Sequence, residues 1–430
     1  MKSRIVNLVV VAAVLMLAAC SGESGENDLH RTELEGRSIE VIGAWSGSAE
    51  RAFRVLSAAF ERETGAKVDY VSAGSDLRAI LQTRVDGRRP PDVAILPKPG
   101  LIRHFGEAGA LKPLAAPVVE TLDKNFATIW KQFGSFRGVP YGVYLKAENK
   151  STLWFNKKLY RQAGVTLPNS VDALTDSYFM SSGKGIKPLS VGGAEGWVLV
   201  DLFQNIYLRS AGLANYDRLG RHEIPWTDST VRDALAVMAR ILTSDALAGG
   251  TQGALRATFA NSIGNVFGDT PKAAMVFEAD SAGRGITSSE NRADAGVIPF
   301  PAVNGSVPSA VVGGDAAVAF TDKPETARFL DFLASSEAAR RLTIMGGFLS
   351  PNKNAGSSSY PDDLTSAMAE QLIVAGDGVR FGMSDSAPMA AGGAVDVGAG
   401  EILRDFLAGS ADMAGVMTRL EAVAAKAHGK

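Results

Sequence analysis

The chain has 430 residues, 46% of them apolar, with 44 basic against 46 acidic side chains and a formal net charge of −2 at pH 7. That balance lacks the basic stripe a nucleic-acid partner requires, and a single cysteine rules out an internal disulfide. The four histidines, His30, His104, His222 and His428, stand at no metal-ligand spacing, and no G-x-S-x-G, P-loop or G-x-G-x-x-G pattern occurs. Two matches to S-x-x-K, at 181–184 and 350–353, carry Gly183 and Pro351 where that motif needs a helix start. No catalytic residue, metal or cofactor is therefore expected, and the chain does not read as an enzyme.

In chain order, Lys2 and Arg4 precede an apolar run over 5–19 that is too short to span a bilayer and reads as an export leader. The run ends Leu17-Ala18-Ala19-Cys20, which resembles the lipobox of bacterial lipoproteins. Residues 1–20 are accordingly expected to be a lipoprotein signal peptide, with Cys20 diacylated as the mature terminus. Two acyl chains, at about 0.8 kcal/mol per buried methylene, anchor a protein without a transmembrane helix. The stretch 21–36, rich in Ser, Gly and Glu, then reads as a flexible tether.

From Ser38 the pattern alternates strand and helix. A strand is predicted over 39–45, then a helix over 50–63 with Phe53, Leu56 and Phe60 as its apolar stripe and Gly65 as its stop. A second strand covers 68–71, a helix carries Leu77, Ile80 and Leu81, and a short strand covers 93–96. Leu101, Ile102 and Phe105 begin a third helix that stops at Gly109. This βαβ series predicts a largely parallel sheet, whose ligands bind beyond the carboxyl ends of the strands. Trp45-Ser46-Gly47-Ser48 and Pro97-Lys98-Pro99-Gly100 occupy that position. Farther on, 231–242 reads as a helix, strand candidates lie at 152–155, 273–277 and 311–320, and the small-residue stretches 356–359 and 390–400 read as loops.

Several segments in order resemble the extracellular solute-binding proteins of ABC importers, the family that includes maltose- and α-glucoside-binding proteins. They are AWSGSAERAFRVLSAAFERETGAKVDY, PPDVAILPKPGLIRHFGEAGALKPL, GVPYGVYLKAENKSTLWFNKKLYRQAGV, GWVLVDLFQNIYL, KAAMVFEAD, VVGGDAAVAF and GGFLSPNK. The resemblance implies a periplasmic-binding-protein-like α/β fold: two lobes with mainly parallel sheets, joined by a multi-crossing hinge around a ligand cleft. The expected division is 37–145 plus 279–320 for one lobe and 146–278 plus 321–430 for the other. The implied role is capture of a carbohydrate and its delivery to membrane permease subunits by a monomer. A phosphorylated polyol or another non-sugar solute, and a ligand-sensing envelope lipoprotein, are the alternatives.

Sugars combine hydroxyl edges with apolar faces, so aromatics, carboxylates and close backbone are the residues to weigh. Trp45, with Ser46 beside it, is either a cleft wall or a tryptophan packed under the first loop. Trp197 and Asp201 match the family's GW…D block, although Leu202 and Gln204 stand where relatives often carry an aromatic and an acid. Glu278 and Asp280 follow the 273–277 strand, where related proteins place ligand-contacting side chains. Carboxylates are acceptor-only when ionised and suit adjacent hydroxyls. Gly314 and Asp315 resemble a cleft-lining turn, with glycine admitting a ligand near the backbone. Tyr144 aligns with a crossing segment, where Lys146 either favours an acidic solute or pairs with Glu148. Glu50, Asp76 and Phe348 complete the candidates. Trp130, Trp154 and Trp226 read as packed residues, and Arg88 and Arg89 as a solvated loop.

Overall fold

The computed structural model describes residues 33–176, 185–286, 289–386 and 392–430. The leader, Cys20, nearly all of the tether and the S-x-x-K match at 181–184 lie outside them. The other match is no helix start: Ser350 Oγ accepts the Asn352 N–H within a turn. Among the described residues no helix is long and apolar enough to cross a membrane.

The first strands form as the alternation predicts. β1 (Ser38–Gly43) pairs in parallel with β2 (Lys67–Ser72) and with β3 (Val93–Leu96). All four residues of β3 are buried, as expected of a strand covered on both faces. Helix α1 (Gly47–Thr64) buries Phe53, Leu56 and Phe60, and Gly65 closes it in the left-handed region at φ 76°. Helix α2 (Leu77–Asp86) and helix α3 (Pro99–Glu107) follow β2 and β3.

Two long strands complete this sheet. β6 (Gly142–Asn149) follows a short hairpin made of β4 (Ser135–Phe136) and β5 (Val139–Pro140). It pairs antiparallel with β11 (Ala310–Ala319). The other edge of β11 is shared: Ala316–Ala319 pair with β3, and Ala310–Val312 pair in parallel with β12 (Val379–Phe381). A second sheet runs β10 (Ala295–Pro299), β7 (Thr152–Asn156), β9 (Ala273–Phe277) and β8 (Lys187–Val191). Around it lie helix α4 (Trp197–Gly220), helix α5 (Ser229–Ile241) and helix α6 (Phe259–Phe267).

The fold is the expected two-sheet α/β architecture, with three refinements. Both sheets are mixed, because strands that carry the chain between them pair antiparallel. Several segments lie with the sheet opposite to the expected division, three of them clear from pairing and packing. Helix α7 (Pro324–Ala334) packs Phe329 onto Phe53 and Phe60 of α1, β12 joins the first sheet, and β10 joins the second. Finally, 390–400 is not a loop: helix α8 (Gly392–Ala408) covers its described part and packs on α4 and on helix α9 (Met413–Ala427). Its small residues make close packing possible: a Cβ at Gly398 would lie 3.1 Å from Val423 Cγ2.

Candidate functional site

Beyond Ala316, β11 outruns β3, so residues 310–315 and the facing end of β6 project past the strand tips toward the second sheet. Every residue of β11 is buried, including Asp315, an acid in the middle of an otherwise apolar and glycine strand. Asp315 faces Lys146, and Gly313 faces Glu148. A carboxylate placed there stays only if it is paired.

It is paired twice. Trp45 Nε1 donates to Asp315 Oδ2 at 3.2 Å, and Lys146 Nζ lies 3.6 Å from the same oxygen. Lys146 also donates to Glu148 Oε1 at 2.6 Å. Burial works against the Lys146 ammonium, yet Glu148 and Asp315 hold its pKa above the usual lysine range. The lysine that could have marked an acidic solute is thus neutralised by its own neighbours. Asp280 completes the group. Burial, reinforced by Glu148, pushes its pKa up to about 7, against the opposing pull of Lys146 and of the Asn149 N–H.

Trp45 is packed more than displayed. It is buried, with Phe53 and Phe348 set edge-on at 5.7 and 5.3 Å, and its carbonyl accepts the Tyr70 hydroxyl. Phe348 is buried behind it. Tyr144, across a register shift between Asp315 and Ala316, is buried among Trp130 and Phe381. Gly314 serves strand pairing: a Cβ there would lie 2.5 Å from the Lys146 carbonyl oxygen. Ser46 is exposed ahead of α1, and Glu50 is held by Arg54 at 2.8 Å. Asp76 is exposed ahead of α2, and among the described residues no hydrogen bond or ion pair joins it to this group.

A second charged group adjoins the first. Lys150, at the crossing into β7, lies 3.0 Å from Asp385 and 4.0 Å from Asp201. Lys98, in the loop after β3, reaches Asp385 at 2.9 Å, so one carboxylate ties the first strand tips to the crossing. Burial alone would raise the pKa of Asp385, but Lys150 and Lys98 hold it below the usual range. Sequence reasoning missed Lys150 and Asp385. Lys150 directly follows β6, but Asp385 sits in a Gly-Met-Ser-Asp-Ser stretch with no periodicity to mark it. Gln204, a departure from the family pattern, turns out to be structural. Its Oε1 accepts the Met383 N–H at 2.7 Å and the Tyr216 hydroxyl at 2.9 Å, fixing the turn that presents Asp385.

The third group belongs to the second sheet. Gly196 adopts φ 78°, and a Cβ there would lie 2.9 Å from Gly400 Cα, so only glycine lets α4 begin where it does. Trp197 opens that helix half-buried, its ring 5.7 Å from Phe259. Glu278, at the end of β9, is wholly buried; Ser262 Oγ donates to its Oε1 at 2.7 Å, and Oε2 has no partner. Burial pushes its pKa well above the usual carboxylate range, against the opposing hydrogen bond from Ser262. Among the described residues no group of three or more His, Cys, Asp or Glu is placed to hold a metal.

Two α/β lobes, joined by paired crossing strands and lined at the strand tips by an aromatic ring and a charged lattice, define the class of bilobal ligand-binding proteins. The sequence model described as bacterial extracellular solute-binding protein matches residues 44–340, and the chain belongs to that family. It is 29% identical over 390 residues to the osmoprotective compounds-binding protein GgtB of Synechocystis, covering 89% of this chain and 91% of that one. It is 28% identical over 401 residues to the alpha-glucosides-binding periplasmic protein AglE of Rhizobium meliloti, covering 88% and 87%. Among solved structures, the bacterial solute receptor AcbH, described as preferring β-D-galactopyranose, superposes with a TM-score of 0.79 at 18% identity, over 91% of this chain and all of that one.

Proposed function

We propose that this chain captures a small neutral carbohydrate between its lobes and delivers it to the permease of an ABC importer, held at the membrane by lipid on Cys20. The observation that carries the solute class is charge balance. Three ammonium groups, Lys98, Lys146 and Lys150, stand among five carboxyl groups, Glu148, Asp201, Asp280, Asp315 and Asp385. Such a lattice offers fixed acceptors and donors to hydroxyls, and each ammonium already lies against a carboxylate, which disfavours a phosphorylated solute. Trp197, half-buried at the start of α4, supplies the apolar plate for a sugar ring. The candidate residues do no covalent chemistry in this reading. They bind and let the lobes close, and a closed form that holds solute better than the open one is all the mechanism requires.

The alpha-glucosides of AglE and the β-D-galactopyranose of AcbH support the carbohydrate assignment, and the osmoprotective compounds of GgtB support a second reading, a compact osmoprotectant. A thermal-shift panel separates them: mono- and disaccharides in one arm, polyols and betaines in the other. A ligand at 100 times its dissociation constant adds about 2.7 kcal/mol, so a true solute raises Tm clearly. A shift by a saccharide is the expected result. A shift by a betaine or a simple polyol, with none by any saccharide, would overturn the carbohydrate assignment.

A further inference from the structure

A second cavity lies behind the crossing strands, away from the charged lattice. Side chains alternate along β6, so Asn149 points to the face opposite Glu148, and Asn149 and Ser151 line a cavity of about 420 Å³. Its other walls come from the chain between β10 and β11 and from the helix Asp363–Ala375. Val297, Phe300, Pro308 and Val374 make it largely apolar.

Arg209 stands at its wall, 6% exposed, with its guanidinium 5.0 Å over the Phe300 ring. All its hydrogen-bond partners are neutral: the Asn205 carbonyl and Oδ1 at 3.1 and 3.0 Å, and the Ser309 carbonyl at 2.6 Å. Among the described residues no carboxylate lies within ion-pair distance of it. Burial lowers its pKa to about 9, a sign of a charge that lacks a counterion. Ser309 also lines the cavity, 8% exposed, and its hydroxyl is buried without a hydrogen-bond partner. An uncompensated guanidinium and an orphan hydroxyl in one apolar pocket are costly unless something completes them.

We propose that this cavity is a second binding site, for a small monocarboxylate whose oxygens meet Arg209 and Ser309 and whose apolar tail lies along Phe300 and Val374. The planar guanidinium fork matches a carboxylate, and the volume falls within the range of small-molecule pockets. Glu370, exposed at the rim, disfavours multiply charged anions such as phosphate. The site is independent of the interlobe cleft, and the solute assignment above does not enter it.

The test is a titration of the purified protein with hexanoate and benzoate, with hexanol, benzyl alcohol and inorganic phosphate as controls, followed by thermal shift and calorimetry. Hexanoate or benzoate should bind and raise Tm, while the alcohols and phosphate should not. Ala367→Trp fills the cavity and should abolish binding. Val307→Glu, on a residue 68% exposed, adds a negative charge at the rim and should weaken binding several-fold without threatening the fold. Arg209→Gln should abolish it too, but the two other variants decide the matter if that one misfolds. Absence of carboxylate binding, equal binding of the alcohols, or binding that survives both Ala367→Trp and Val307→Glu would overturn the proposal.

Discussion

Asp280 and Asp385 sit in the same lattice and respond to pH in opposite senses. The folded pKa of Asp280, about 7, is above its ordinary value of 3.8, so the folded state binds more protons than the unfolded one between those values. Its contribution is fully present below about pH 4 and is lost as pH rises through 7. Asp280→Asn should therefore remove a decline in stability across that window, which urea unfolding at a series of pH values will show. Asp385 has a lowered pKa, so its contribution is present above the ordinary carboxylate range and is lost on acidification below it. Asp385→Ala takes from Lys150 its nearest carboxylate, leaving Asp201 at 4.0 Å, and removes the ion pair of Lys98. Removing one member of a buried pair costs roughly 3 kcal/mol, so the urea midpoint at pH 7 should fall accordingly. At this scale the sequence marked Asp315, Glu278 and Trp197 because the segments that hold them resemble cleft-lining blocks of the family. It could not mark Asp385, because a carboxylate in an aperiodic turn acquires meaning only when Gln204, distant in sequence, fixes that turn in space.

Strands and helices were legible where one face is apolar. The 50–63 helix and the 273–277 strand form as their periodicity requires. The 390–400 stretch misled because alanine and glycine carry little hydrophobic signal, although they permit helices to approach closely, as at Gly196 and Gly400. Gly314 is the clearest case of backbone geometry hidden in composition. A methyl group there would meet the Lys146 carbonyl at 2.5 Å, and backbone on the neighbouring strand cannot yield as a flexible side chain would. Gly314→Ala should destabilise the protein by roughly 1–3 kcal/mol. It should also loosen the pairing of β6 and β11, visible as faster amide exchange at Lys150, whose N–H donates to the Val311 carbonyl on β11.

For the whole molecule, the βαβ series and the order of family-like segments disclosed the architecture, while the division of the chain between lobes was only partly legible. The chain crosses between the sheets through long strands whose two ends belong to different environments, and a hydrophobic pattern does not record where along such a strand a crossing falls. The two lobes and their crossings should behave as a clamp, so small-angle scattering should show a smaller radius of gyration when solute is added. The most direct measurement is a calorimetric titration of the saccharide identified by thermal shift into the wild-type protein and into Trp197→Ala. Loss of a ring-stacking plate is worth at least about 1.4 kcal/mol, a tenfold weaker dissociation constant, and that weakening, with the fold intact, is what the interlobe site predicts. Equal affinity in the two proteins would contradict capture of the solute in this cleft.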